Sequence, residues 1–176
     1  MRASIPTTIE IHQEIDPNCG SIIANPTNIH QVLVNLCTNA FHAIEDEKGV
    51  IEVTLTRVSL TKHDLDQQSD IAAGPFVKLM IRDTGSGIDQ KTMDRIFEPY
   101  FTTKEVGKGS GMGLALVHGI VQGCGGFIDV ESEEKKGTVF QVYFPAIAEN
   151  TVPIKKKQHE NLPRGNERLM IVDDEE

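Results

Sequence analysis

Residues 31–46, Q-V-L-V-N-L-C-T-N-A-F-H-A-I-E-D, constrain this chain more than any other stretch. Val32, Leu33, Leu36, Ala40, Ala43 and Ile44 recur at helical spacing and form the apolar stripe of a core-facing helix. Asn35, Asn39 and His42 follow at spacings of four and three, so they line up along one face of the same helix. Polar side chains with few uses in a helix interior, aligned on a helix that the core must bury, mark a ligand-facing surface. Buried amides satisfying backbone groups, and a hydrogen-bonded structural histidine, are the plainer alternative.

The rest of the pattern says what this helix packs on. Residues 7–15, T-T-I-E-I-H-Q-E-I, alternate as a half-buried strand, and Ser21–Ala24 reads as a short second one. Asn25 and Pro26 supply an N-cap and a first-turn proline for the helix, which is expected to stop near Lys48–Gly49. Val50–Leu60 and Pro75–Arg82 read as strands, separated by a polar loop from Thr61 to Gly74. A short helical segment is expected over Asp89–Phe97, then an aperiodic, mobile loop over 98–110. Gly111–Gln122 is a second helix, with Leu114, Val117, Ile120 and Val121 as its stripe, ended by G-C-G-G. Phe127–Glu131 and Thr138–Phe144 form a hairpin around E-K-K-G. Two helices with five or six strands imply a helix layer over a mixed sheet.

Composition narrows the function. A net charge of −9 disfavours nucleic acid as a partner, while leaving room for a phosphorylated small ligand held by backbone amides and a metal ion. Cys19, Cys37 and Cys124 have no metal-ligand spacing, and their odd number argues against a disulfide framework. No apolar run is long enough to cross a bilayer, and a reduced, cytoplasmic setting is expected.

Two further segments carry chemistry. Asp83 ends an apolar strand and is followed by T-G-S-G, which places a carboxylate to accept hydrogen bonds from a buried donor such as an exocyclic amine. A turn aspartate capping the next segment is the competing reading. Gly109, Gly111 and Gly113 lead into a helix N-terminus, where exposed amides and the helix dipole favour an anion, a flexible loop that merely ends at a helix being the competing reading. The spacing matches neither the P-loop nor the dinucleotide fingerprint, and H-R-D and D-F-G are absent.

Taken together, these segments resemble the catalytic ATP-binding domain of sensor histidine kinases, within the GHKL superfamily shared with gyrase and MutL. Residues 30–46 look like its N box, and D-T-G-S-G-I at 83–88 its G1 box. I-F-E-P-Y-F-T-T-K at 96–104 looks like its F box, and G-S-G-M-G-L at 109–114 its G2 box. The resemblance covers about residues 5–145 and implies an α+β fold. It is a two-layer α/β sandwich of the GHKL (Bergerat) type, a mixed sheet covered on one face by helices, with a mobile ATP lid.

By position, the resemblance implies that Asn39 ligates Mg²⁺, with Asn35 beside it, and that Asp83 accepts from adenine while Gly85, Gly87 and Ile88 shape its pocket. Phe97 and Phe101 anchor the lid, with Thr102, Thr103, Lys104 and Lys108 also in it. Gly109, Ser110, Gly111 and Gly113 present amides to the triphosphate, and Met112 and Leu114 beside them are counted with the nucleotide-binding residues. His42 stands where many family members carry lysine, so phosphate contact there is weaker and pH-sensitive, and Lys104 and Lys108 are candidates to supply the missing charge. Asn35, Asn39, His42 and Lys104 form the expected catalytic set.

Asn35 occupies the position where gyrase-like and MutL-like members carry a water-activating glutamate, and its amide is no general base near neutral pH. The resemblance therefore implies transfer of the γ-phosphoryl group of Mg-ATP to a histidine on a separate helical dimerisation domain. A GHKL-type ATPase and a non-catalytic nucleotide-binding module are the alternatives. Residues 1–146 are read as the catalytic domain, 147–167 as a linker, and R-L-M-I-V-D-D-E-E at 168–176 as the start of a response-regulator receiver domain. The chain reads as a monomeric piece of a larger, homodimeric hybrid kinase.

Overall fold

The computed structural model describes residues 9–44, 48–65, 71–104 and 109–147. Strand β1 (Ile9–Ile15) leads into helix α1 (Pro26–Ile44), and the chain returns through β2 (Gly49–Leu60) and β3 (Gly74–Asp83). Two helices follow, α2 (Gln90–Met93) and α3 (Gly113–Gly123), then the hairpin of β4 (Phe127–Glu133) and β5 (Gly137–Pro145). The five strands form one mixed sheet in the order β1-β2-β3-β5-β4. Only β1 and β2 pair in parallel, which requires a crossover, and α1 is that crossover.

Helix α1 starts as the Asn25-Pro26 pair dictates. The Thr27 amide donates to Asn25 Oδ1 at 2.9 Å, and Ile29 N donates to the Asn25 carbonyl. Its buried stripe is Val32, Leu36, Cys37, Ala40 and Ile44, with Leu33 packed at the margin. Val32 and Leu36 are wholly buried, and each burial is worth about 1.5–3 kcal/mol. Opposite them stand Ile51 of β2, Leu79 and Ile81 of β3, and Phe140 and Val142 of β5, joined by Val117 and Val121 of α3. These strand residues recur at every second position, which puts them on one face of the sheet. The register Leu79↔Val142 and Ile81↔Phe140 aligns them in rows across it. The other face carries the Glu52–Arg82 ion pair and the stacked rings of Phe127 and Tyr143.

Three expectations shift. Gly49 does not end α1: it is the first residue of β2, paired with Ile9. A Cβ there would lie 2.6 Å from Ile44 Cγ2, so the glycine lets the strand start against the helix end. Helix α3 starts at Gly113, two residues later than periodicity places it. Gly111 is held at φ +65° while its carbonyl accepts the Tyr100 amide at 3.0 Å, which ties that residue to the preceding loop. Ser21–Ala24 is no strand; only Ile22 bridges, to Ala146. The proposed linker at 147–167 and the receiver start at 168–176 lie outside the described residues apart from Ile147.

Candidate functional site

The loop after β3 is fastened on two sides. On one, Ser86 N donates to the Ala43 carbonyl at 2.9 Å, satisfying an acceptor that the last turn of α1 leaves unpaired. Gly85 sits so close that a Cβ would lie 2.5 Å from the same carbonyl oxygen. On the other side the β4–β5 hairpin grips the loop. Lys135 N donates to Ser86 O at 2.6 Å, and Ile88 N donates to Ser132 Oγ at 2.8 Å. Gly87 has φ +70°, and a Cβ there would collide with the Glu133 carbonyl oxygen.

Asp83 stands at the base of this loop, 3 % exposed. Its Oδ1 accepts the amides of Gly85 at 2.9 Å and Thr138 at 3.3 Å. Oδ2 takes part in neither bond and is the acceptor left for a ligand. Burial pushes the carboxyl above its ordinary value, and the two amides pull it back.

Asn35, Asn39 and Ala43 lie at successive intervals of four along α1, so they share a face. Ala43 carries the Gly85–Ser86 loop. At the other end, Asn35 Oδ1 lies 2.8 Å from where a Cβ of Gly113 would stand, against the first residue of α3. The Asn35 Nδ2 donates back to Gln31 O at 2.8 Å. This face therefore runs from the buried carboxylate to a helix N-terminus, about 12 Å at 1.5 Å per residue, with Asn39 midway. A run of that length is long enough for a nucleoside polyphosphate to lie along it.

Of the expected lid residues, Phe97 packs on the His118 ring of α3 at 5.0 Å, and Arg95 lies 4.2 Å over the Phe101 ring. Thr102 and Thr103 are exposed, and Thr102 Oγ1 accepts the Lys104 amide at 3.2 Å. Ser110 Oγ accepts the Met112 amide at 3.3 Å, and Met112 is 40 % exposed. Ile88 and Leu114 pack against the core, and Lys104 Cδ comes within 3.1 Å of the Cβ position of Gly109. Lys108 lies outside the described residues. His42 is exposed and loses basicity first to partial burial and then to the charge on Lys104. Lys104 is itself lowered by burial.

The donors suit the implied groups. Among the described residues no cluster of three His, Cys, Asp or Glu could hold a metal by itself. Mg²⁺ does not need one: it binds through one or two protein oxygens together with substrate phosphates, and Asn39 offers such an oxygen. A separate cleft of about 470 Å³, lined by Ile23, Asn25, Leu116, Ile120 and Cys124 among others, contains none of these residues. Sequence reasoning missed Ser132 and Thr138. Their signal is slight, a serine and a threonine on either side of a hairpin turn.

Fold and site together define an α+β domain in which the polar face of a central helix runs from a buried carboxylate to the N-terminus of a second helix. Residues 24–148 match the family described as histidine kinase-, DNA gyrase B- and HSP90-like ATPases, and the chain belongs to it. Within that family it is an ATP-binding catalytic domain of the sensor histidine kinase type. It is 37 % identical over 176 residues to the sensor kinase CckA of Brucella abortus, covering 96 % of this chain and 18 % of that protein. It is 42 % identical over 137 residues to the sensor histidine kinase ZraS of Escherichia coli, covering 78 % of this chain and 26 % of that protein. The catalytic domain of the histidine kinase ThkA superposes with a TM-score of 0.61 at 29 % identity, covering 78 % of this chain and 79 % of that one. The chain thus spans about a fifth to a quarter of the curated relatives' length.

Proposed function

We propose that this domain binds Mg-ATP and donates its γ-phosphoryl group to a histidine on a separate helical dimerisation domain. One observation carries the reading: the face Asn35–Asn39–Ala43 connects a buried carboxylate to a helix N-terminus over the length of ATP. Adenine sits at Asp83, with Gly85, Gly87 and Ile88 around it. Asn39 supplies an oxygen to Mg²⁺, which neutralises phosphate charge when bound. The amides of Gly109, Ser110, Gly111 and Gly113 meet the triphosphate, and His42 and Lys104 flank it.

Transfer is favoured over hydrolysis because residue 35 is an amide hydrogen-bonded within its own helix, not a carboxylate. Water at the γ-phosphate then has no general base at that position, and the phosphoryl group waits for a stronger nucleophile. The attacking imidazole nitrogen bonds to the γ-phosphorus, the bond to the bridging oxygen breaks, and ADP leaves. Catalysis is chiefly positioning and charge neutralisation. The reading of R-L-M-I-V-D-D-E-E at 168–176 as the start of a receiver domain in a hybrid kinase belongs to this proposal and rests on those residues alone. A homodimeric parent and a cytoplasmic location for this domain belong to the same proposal.

The test is a titration with Mg-AMPPNP, followed by incubation with Mg-ATP with and without a helical phosphoacceptor domain. Magnesium-dependent binding, slow release of phosphate and acid-labile label on the acceptor are expected. Absence of binding at millimolar nucleotide overturns the proposal; rapid phosphate release without acceptor replaces it with an ATPase.

A further inference from the structure

Ser132 on β4 joins elements that are distant in sequence. Its Oγ lies 2.8 Å from Ile88 N, 3.0 Å from the Gly137 carbonyl oxygen and 2.9 Å from Thr138 Oγ1. The protons can be assigned from donor and acceptor capacity alone. The Ile88 amide only donates and the Gly137 carbonyl only accepts. The single Ser132 proton therefore goes to Gly137. The remaining contact is satisfied when the Thr138 hydroxyl donates to Ser132 Oγ.

With its proton so committed, Thr138 Oγ1 has only lone pairs to offer elsewhere. Thr138 is 3 % exposed, and its amide donates to Asp83 Oδ1, so the two buried residues are direct neighbours across adjacent strands. Two acceptors side by side favour a group carrying two protons and repel a carbonyl oxygen.

We propose that Ser132 is a positioning residue that fixes the hydrogen-bonding polarity of the base pocket, making it accept a 6-amino purine and reject a 6-oxo purine. It does so through Thr138 and by holding the Ile88 end of the loop after β3. This rests on the ATP reading given above and adds a determinant of base choice to it. Removing the Ser132 hydroxyl releases the Thr138 proton from Ser132, so the Thr138 hydroxyl is no longer held as a pure acceptor toward the base.

Affinities for Mg-ATP, Mg-ITP and tripolyphosphate measured by calorimetry on wild type, Ser132→Ala and Ser132→Thr test this. The wild type is expected to prefer ATP. In Ser132→Ala the ratio Kd(ITP)/Kd(ATP) is expected to fall about ten-fold, the scale of one buried hydrogen bond, with tripolyphosphate affinity unchanged. Ser132→Thr, which keeps the hydroxyl, should restore the ratio. A merely structural role would weaken both nucleotides equally and leave the ratio alone; that result overturns the inference. If Ser132→Ala does not fold, Ser132→Cys, whose sulfur is a weak acceptor, carries the same comparison. A wild type that binds neither nucleotide overturns the ATP reading itself, which is a distinct failure.

Discussion

Replacing Asp83 by asparagine separates what the buried carboxylate does for the ligand from what it does for the fold. The substitution is isosteric, and the side-chain orientation is set by the site. Asn Oδ1 must take the place of the oxygen that accepts the Gly85 and Thr138 amides at 2.9 and 3.3 Å, because the alternative points an NH₂ at two N–H donors. Nδ2 then occupies the Oδ2 position and, on the proposed reading, faces the exocyclic amine with a donor. One charge-assisted hydrogen bond is lost, worth about 2–3 kcal/mol, so ATP affinity should fall about 30- to 150-fold.

Stability should move the other way. Burial raises the Asp83 pKa, so the folded state holds its proton to higher pH than the unfolded chain. The stability this group contributes is fully present below the ordinary carboxylate value of 3.8 and is lost as pH rises through the raised folded value. Asparagine carries no such penalty. The Asp83→Asn domain should therefore unfold at the same or higher denaturant concentration than wild type at pH 7, the difference shrinking toward pH 3. Calorimetric ATP titration and denaturant melts at several pH values measure both arms. Wild-type ATP affinity in the variant, or a loss of more than about 2 kcal/mol of stability at pH 7, refutes the geometry assigned to this carboxylate.

Three other outcomes are expected. Asn39→Ala should weaken magnesium-dependent ATP binding at least ten-fold while leaving adenosine binding unchanged, as read by titration with and without chelator. Gly87→Ala forces a Cβ into the Glu133 carbonyl at φ +70° and should cost about 2–4 kcal/mol in a denaturant melt. His42, its pKa lowered by partial burial and by Lys104, should be neutral at pH 7.5 and gain charge only as the solution is acidified. Mg-ATP affinity should then rise between pH 7.5 and 5.5 in wild type but not in His42→Gln. The same lowering means that folding stability falls as pH drops through the ordinary value of 6.5, and melts of His42→Gln should show a smaller fall.

Much of this protein is written locally. The 3.6-residue recurrence from Val32 to Ile44, the Asn25-Pro26 start and the alternation in β2, β3 and the hairpin all act over a few residues, so they are legible before any fold is known. The Asn35–Asn39–His42 face and the Asp83 segment were visible for the same reason. What the fold alone decides are contacts between residues far apart in the chain. Ile88 meets Ser132 across 44 positions, and Thr138 meets Asp83 across 55. Asn35 meets Gly113, which gives that amide a packing partner no spacing rule reveals. Cys37 joins the buried stripe because α3 and the sheet enclose more of α1 than its periodic residues imply. Gly111 reads as helix by periodicity, yet its carbonyl is taken by Tyr100 and the helix starts at Gly113. Local propensity specified the parts and the polar face; tertiary hydrogen bonding decided which loops are fastened against that face.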